Sequence, residues 1–294
     1  MIIDTHAHLD VEDFRSRLPE VIGRAGQADV TEIISIAASF ESNAAIAQII
    51  ETWPNVHGTV GIHPECAGDL PADWLTQLKA RARHPKIAAV GEIGLDYYRL
   101  PSIVYQQRVK EGKASPQDAD VDWAAEDRKI KEQQERVFRA QLDLAIELGL
   151  NAVIHQRESW DDLVHILSEY KGRLRTVFHC FGGTIEQARQ LLAQNHLVSF
   201  TGIVTFKNAK QVQETAAALP ANAFMVETDC PYLAPTPYRG QTCEPWHTRL
   251  VVEKIAELRN TTWQEVAHET TRTAKAFFRH LGMFSVDAKW SRIE

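Results

Sequence analysis

A (β/α)8 barrel of the α/β class is the fold this sequence predicts, on three observations. Eight short apolar runs rich in β-branched residues recur along 294 residues. Longer amphipathic segments separate them, the pattern of βαβ units and a parallel sheet. The chain is also slightly longer than the ~250 residues typical of such a barrel. The strands are expected at 1–5, 32–37, 56–61, 87–91, 151–155, 175–179, 197–201 and 224–227. Helical periodicity fills 13–28, 42–53, 72–83, 126–148, 160–170, 184–194 and 208–219. A doubly wound open sheet is the competing arrangement. It is disfavoured because no Gly-rich dinucleotide turn follows the first run. No Pro/Gly/Ser-rich linker divides the chain, so one barrel domain over 1–294 is expected, with a last helix (262–281) and a short tail packed outside it.

One stretch breaks the rhythm. Residues 100–131 form a polar excursion where a short βα loop belongs, carrying Arg108, Lys110, Lys113, Arg128, Lys129 and Lys131 among many acidic residues. It reads as a mobile surface excursion that extends a helix, or as a lid bordering the active face, where the βα loops lie. A net charge of −7 argues against a protein held on nucleic acid by a general basic surface. A nuclease is still compatible, since bound cations neutralise phosphate locally. Four scattered cysteines without a C-x-x-C pair favour a reducing compartment. No apolar run approaches the roughly 20 residues that span a bilayer. A cytoplasmic protein is expected, with no membrane association and no obligate protein partner.

The chemistry lies at the strand ends. In Asp4-Thr5-His6-Ala7-His8, the two histidines are two residues apart in a strand, so they project from one face. Two neutral imidazoles there make a clasp for a divalent ion, although a pair satisfied by backbone carbonyls has the same spacing. Four further strand ends carry the same kinds of residue: Glu92, His155, His179 and Asp229. Ends of parallel strands converge, and an unpaired inward carboxylate is costly, so a metal cluster accounts for all six. Four histidines and two carboxylates exceed one tetrahedral site and suit two divalent ions per chain, with a carboxylate bridging them. Zn, Mn, Co and Mg are all compatible with N/O ligation. The expected chemistry is hydrolysis by activated water, with Asp229 as ligand and as the group that orients or deprotonates that water.

The residues around these positions form longer motifs. They include Asp4-Thr5-His6-Ala7-His8-Leu9-Asp10, Gly61-Ile62-His63-Pro64-Glu65 and Gly91-Glu92-Ile93-Gly94-Leu95-Asp96-Tyr97-Tyr98. Further along come Ile154-His155-Gln156-Arg157, His179-Cys180-Phe181, Phe200-Thr201-Gly202-Ile203-Val204-Thr205-Phe206 and Glu227-Thr228-Asp229-Cys230-Pro231-Tyr232-Leu233-Ala234-Pro235. In this order over nearly the whole chain, they resemble the TatD family of metal-dependent deoxyribonucleases, within the amidohydrolase-type barrel superfamily. The resemblance implies metal ligands at His6, His8, Glu92, His155, His179 and Asp229. It also implies 3′→5′ exonuclease or related phosphodiesterase activity on DNA, single-stranded or at 3′ ends, with Mg often invoked.

Several neighbours are candidates for substrate contact. His63 could hydrogen-bond a phosphate or leaving oxygen, or pack structurally against Pro64. Arg157 shares a face with His155 and could clamp a phosphate, or pair with Glu92 or Glu227. Lys207 and Arg239 are weaker phosphate candidates. Thr201-Gly202 could admit substrate close to the backbone, and Tyr97 and Tyr98 could stack on a base or simply pack. Glu65 and Asp96 are expected to orient ligands or cap loops. Cys180 and Cys230 read as core packing. His57, His84, His165, His196, His247, His268 and His280 read as surface or satisfied histidines. Three departures from the family pattern, the 100–131 excursion, Arg239-Gly240-Gln241-Thr242-Cys243 and His247, are expected to border the substrate. A two-metal amide, ester or small phosphodiester hydrolase is the alternative function, and a metal-binding barrel without catalysis is the alternative outside enzymes.

Overall fold

The computed structural model describes residues 1–115 and 120–281. Its eight strands are β1 (Ile2–Ala7), β2 (Val30–Ser35), β3 (Val56–Val60), β4 (Ile87–Asp96), β5 (Ala152–Arg157), β6 (Thr176–Phe178), β7 (Leu197–Phe200) and β8 (Phe224–Val226). Each pairs in parallel with the next, in sequential order. The barrel closes beyond β8: the Asp229 amide donates to the His6 carbonyl (2.8 Å) and the His8 amide to the Cys230 carbonyl (2.9 Å). An apolar cluster drawing Ile3, Ile34, Ala89, Val153, Val177, Leu197 and Met225 from seven of the strands fills the interior. All eight expected strands are present.

Eleven α-helices flank the strands among the described residues: α1 (Glu12–Arg15), α2 (Leu18–Gln27), α3 (Phe40–Thr52), α4 (Trp74–Arg81), α5 (Pro101–Lys110), α6 (Trp123–Leu148), α7 (Trp160–Ser168), α8 (Ile185–Leu192), α9 (Lys210–Ala218), α10 (Thr248–Arg259) and α11 (Trp263–Phe277). The helix expected over 13–28 is split in two. Pro19, in the first turn of α2, cannot continue a helix from α1 and starts a new one instead. The final helix also differs from expectation. Its buried residues Val266 and Ala267 pack in the larger apolar cluster, but Phe277 and Phe278 join the interior cluster and the Arg279 amide reaches the Ala88 carbonyl, so its end plugs the barrel floor. The tail beyond 281 lies outside the described residues.

The 100–131 excursion, expected to extend a helix or to form a lid, carries α5 over Pro101–Lys110 and the start of α6 from Trp123, with 116–119 outside the described residues. Pro101 opens α5, and Asp122 caps α6 by accepting the Ala125 amide. The two helices meet through Ser102, which donates to Asp127 from its hydroxyl and its amide, and through a Tyr105–Trp123 stack. None of the α5 residues is buried.

Candidate metal centre

β4 and β5 outrun their neighbours. After a register shift between Val90 and Ile93, they stay paired as far as Asp96 and Arg157. Glu92 therefore sits within β4, not at its end, and both strands carry polar groups well into the mouth. The six expected ligands converge there as two groups, His6–His8–Asp229 and Glu92–His155–His179, whose ligand atoms lie within 4.8 Å of one another in each group. Glu92 faces both. Its Oε1 lies 2.7 Å from His179 Nε2 and 2.8 Å from His155 Nδ1, and its Oε2 lies 3.5 Å from His6 Nε2. Asp229 Oδ1 lies 3.6 Å from His6 Nε2 and 3.4 Å from His8 Nε2.

These residues fit divalent cations. Neither ring nitrogen of the fully buried His6 finds a hydrogen-bond partner, a costly state for an imidazole with no ligand. His8 has its Nδ1 3.1 Å from the Ile36 carbonyl, so this nitrogen donates and Nε2 is the one that faces the site and Asp229. Burial opposes charge on Glu92, yet His179 and His155 hold its carboxyl well below the ordinary range. Burial likewise opposes ionisation of Asp229, and His8, His6 and His179 outweigh it, keeping the carboxyl below its usual value.

Around this cluster, Asp96 accepts from His155 Nε2 at 3.0 Å and from the Tyr98 amide at 2.8 Å. His63 accepts the Glu65 amide at Nδ1 (3.1 Å), which leaves the ring proton on Nε2, 3.8 Å from Glu92 Oε1. Burial pushes the His63 pKa down to about 4, so the ring is neutral. Arg157 is exposed and does not pair with Glu92 or Glu227; its guanidinium stacks 3.6 Å over the Tyr98 ring. Arg239, also exposed, stacks 3.7 Å over Phe206, and Lys207 is exposed beside that ring in sequence. Tyr97 is a packing residue, buried with its hydroxyl on Asp162, whereas Tyr98 is 48% exposed. Glu65 pairs with Arg99 and does not orient a ligand.

Three readings are corrected. Cys180 does not continue the strand: at φ 47° it turns, stays half-buried, and places Sγ 3.5 Å from the Thr201 hydroxyl. Cys230, by contrast, is fully buried as expected. Gly202 offers no approach to substrate, because a Cβ there would collide with the Leu233 carbonyl and Pro235. His247 does not border the substrate. It is buried, its Nδ1 accepts the Glu244 amide (2.9 Å), and it stacks on Trp246.

Two further buried carboxylates lie outside the expected ligand set. Glu227 accepts from the Cys180 amide (2.7 Å) and the Ser199 hydroxyl (2.6 Å), and lies 3.7 Å from His179 Nδ1. Asp4 grips the Thr228 amide and hydroxyl, holding the segment that carries Asp229 against β1. A carboxylate in the same apolar runs as the ligands was the available signal.

A parallel eight-stranded barrel with a His/carboxylate cluster at its mouth is the architecture of metal-dependent hydrolases. The model of one family, described as TatD related DNase, matches residues 3–279, and the chain belongs to that family. It is 36% identical over 280 residues to the uncharacterized metal-dependent hydrolase YabD of Bacillus subtilis, covering 95% of this chain and 99% of that one. It is 31% identical to the uncharacterized metal-dependent hydrolase YcfH of Escherichia coli, with 92% of each chain covered. Among solved structures, the TatD homologue YjjV of Escherichia coli superposes with a TM-score of 0.79 at 26% identity, over 94% of this chain and 97% of that one. The protein is thus a metal-dependent hydrolase of the TatD family.

Proposed function

We propose that the protein is a 3′→5′ exodeoxyribonuclease acting in the cytoplasm on single-stranded DNA or on 3′ ends. His6, His8, Glu92, His155, His179 and Asp229 would hold two divalent ions per chain, from among Mg, Mn, Zn and Co. The observation that carries this reading is Glu92, one of whose oxygens faces each ligand group. Bound divalent ions supply Lewis acidity toward a phosphoryl oxygen and acidify water.

The chain's own residues supply the rest. Asp229, held ionised beside His6 and His8, orients the attacking water and takes its proton. His63 presents a fixed Nε2–H, so it donates to a phosphate or departing oxygen and does not act as a base. Arg157, flattened on Tyr98, keeps its planar edge for a phosphate, and Tyr98 is exposed enough to stack on a base. Lys207 and Arg239 lie beyond Phe206 as further phosphate contacts. They would supply local positive charge on a chain whose net charge is −7. Among the described residues, no helix is long and apolar enough to cross a membrane.

The test is Mn- or Mg-loaded protein incubated with single-stranded DNA labelled at its 5′ end. Stepwise shortening from the 3′ end with release of mononucleotides, abolished in Asp229→Asn, is expected. Intact DNA together with turnover of an aryl ester or a small cyclic phosphodiester would transfer the same cluster to a small-molecule hydrolase.

A further inference from the structure

We propose that Asp96 is a positioning residue that makes the two metal positions unequal, so that the Glu92–His155–His179 position binds its ion more tightly. The inference rests on the two-ion reading above and assigns a role to a residue outside the ligand set.

His155 is held from both sides of its ring. Nε2 lies 3.0 Å from Asp96 Oδ2, and Nδ1 lies 2.8 Å from Glu92 Oε1 and 3.3 Å from His179 Nε2. With its proton on Nε2 toward Asp96, the imidazole must offer its Nδ1 lone pair to the position shared with Glu92 and His179. A carboxylate accepting from the far nitrogen fixes both the tautomer and the ring plane, and it makes the near nitrogen a stronger donor to a cation.

Asp96 is itself tightly held. It is 4% exposed, and its second carboxylate oxygen accepts the Tyr98 amide at 2.8 Å. The buried side-chain amide of Gln134 grips its backbone twice: Gln134 Oε1 accepts the Asp96 amide and Nε2 donates to the Asp96 carbonyl, each at 3.0 Å. Gln134 lies on α6, so that helix reaches the cluster through Gln134, Asp96 and His155 in turn. Asp96 also faces Arg157 across the β4–β5 ladder, which anchors its backbone from the other edge.

Among the described residues, the other position has no carboxylate hydrogen-bonded to the far nitrogen of a ligand histidine. His8 is backed by the carbonyl of Ile36, a neutral acceptor, and His6 has no hydrogen-bond partner for either ring nitrogen. One group is therefore backed by a carboxylate in hydrogen-bond contact with a ligand ring, whereas in the other His8 is backed by a neutral oxygen and His6 has Glu227 nearby without a hydrogen bond to it. Removing an outer carboxylate of this kind typically lowers metal affinity about 10–100-fold.

The experiment is a calorimetric titration of the chelator-stripped full chain with Mn²⁺, repeated on Asp96→Asn and Asp229→Asn, with bound metal counted by elemental analysis. Asparagine keeps an oxygen for the Tyr98 amide, and the melting temperature of each stripped variant reports its folding. The parent chain should take up two equivalents with separate affinities. Asp96→Asn should still take up two, with the tighter one weakened about 10–100-fold. Asp229→Asn should weaken the looser one and leave the tighter in place. Two equivalents bound by Asp96→Asn with parental affinities would overturn the inference and leave the two-ion reading standing. No uptake by the parent chain would overturn both. Because His63, Asp96 and His155 also form a compact donor group, three equivalents falling to two in Asp96→Asn would make Asp96 a ligand and overturn its positioning role.

Discussion

Gly94 runs so close to His155 that a Cβ built on it would collide with the His155 carbonyl oxygen. Its φ of 146° is also a conformation that side chains other than glycine's rarely adopt. Both constraints act in the stretch where β4 and β5 continue together into the mouth. Gly94→Ala must therefore either push β5 outward or abandon the backbone conformation. The expected cost is about 1–3 kcal/mol in urea unfolding. Metal content should fall as well, since His155 moves with its backbone. A variant with parental stability and parental metal content would show that the close approach is not needed.

The stack of Arg157 on Tyr98 gives a separate prediction for substrate binding. Arg157→Lys keeps the charge but loses the planar edge that a phosphate can meet with two hydrogen bonds. KM for an oligonucleotide should rise about 5–10-fold with kcat little changed, the size of one lost stacked or bidentate contact. Tyr98→Leu should act in the same direction. Steady-state kinetics on a short single strand checks both, and a fall in kcat at constant KM would place Arg157 in the chemical step instead.

For His63 the prediction turns on its donor. His63→Ala should lower kcat, while His63→Gln, which can still present an N–H near the same place, should recover part of the loss. With Nδ1 occupied by the Glu65 amide and the pKa pushed down to about 4 by burial, His63 should contribute no inflection near pH 6.5 to the pH–rate profile. An inflection there that disappears in His63→Gln would make it a titrating acid or base.

Acid stability should depend on His196, far from the cluster on the floor side of β6 and β7. The residue is 2% exposed and accepts the Thr176 amide at Nδ1. Burial, with the Arg175 cation second, lowers its pKa from 6.5 to about 4. The unfolded chain therefore binds this proton first, so the stabilisation is complete above pH 6.5 and is lost as the pH falls toward 4. At about 1.4 kcal/mol per pH unit, the loss approaches 2–3 kcal/mol across that window. His196→Asn keeps an acceptor for the Thr176 amide and removes the titration. The difference in unfolding free energy between variant and parent should narrow by that amount on acidification, and a constant difference would contradict the assignment.

The strand order and the six clustered residues were legible in the sequence because each is announced locally. An apolar run ending in His, Glu or Asp needs no tertiary information to be noticed, and parallel strand ends must converge. What lay hidden depends on contacts distant in sequence. Asp96 matters because β4 continues past its neighbours and because Gln134, on another element, holds its backbone. Glu227 looked like one more strand-end carboxylate, but its oxygens are taken by Cys180 and Ser199. Cys180 departs from core packing because β6 stops at Phe178 and the chain turns there, a break that no residue in the run announces. The break before α2 is different: Pro19 was in plain view and should have divided that helix.

Two divalent ions sharing Glu92 in the barrel mouth would be visible directly in anomalous diffraction from crystals grown with Mn²⁺. Two peaks are expected, one enclosed by His6, His8, Asp229 and Glu92 and the other by Glu92, His155 and His179, both absent from crystals of Glu92→Ala. Crystals of the parent chain that hold manganese elsewhere on the surface, with no peak among these six side chains, would contradict the shared site.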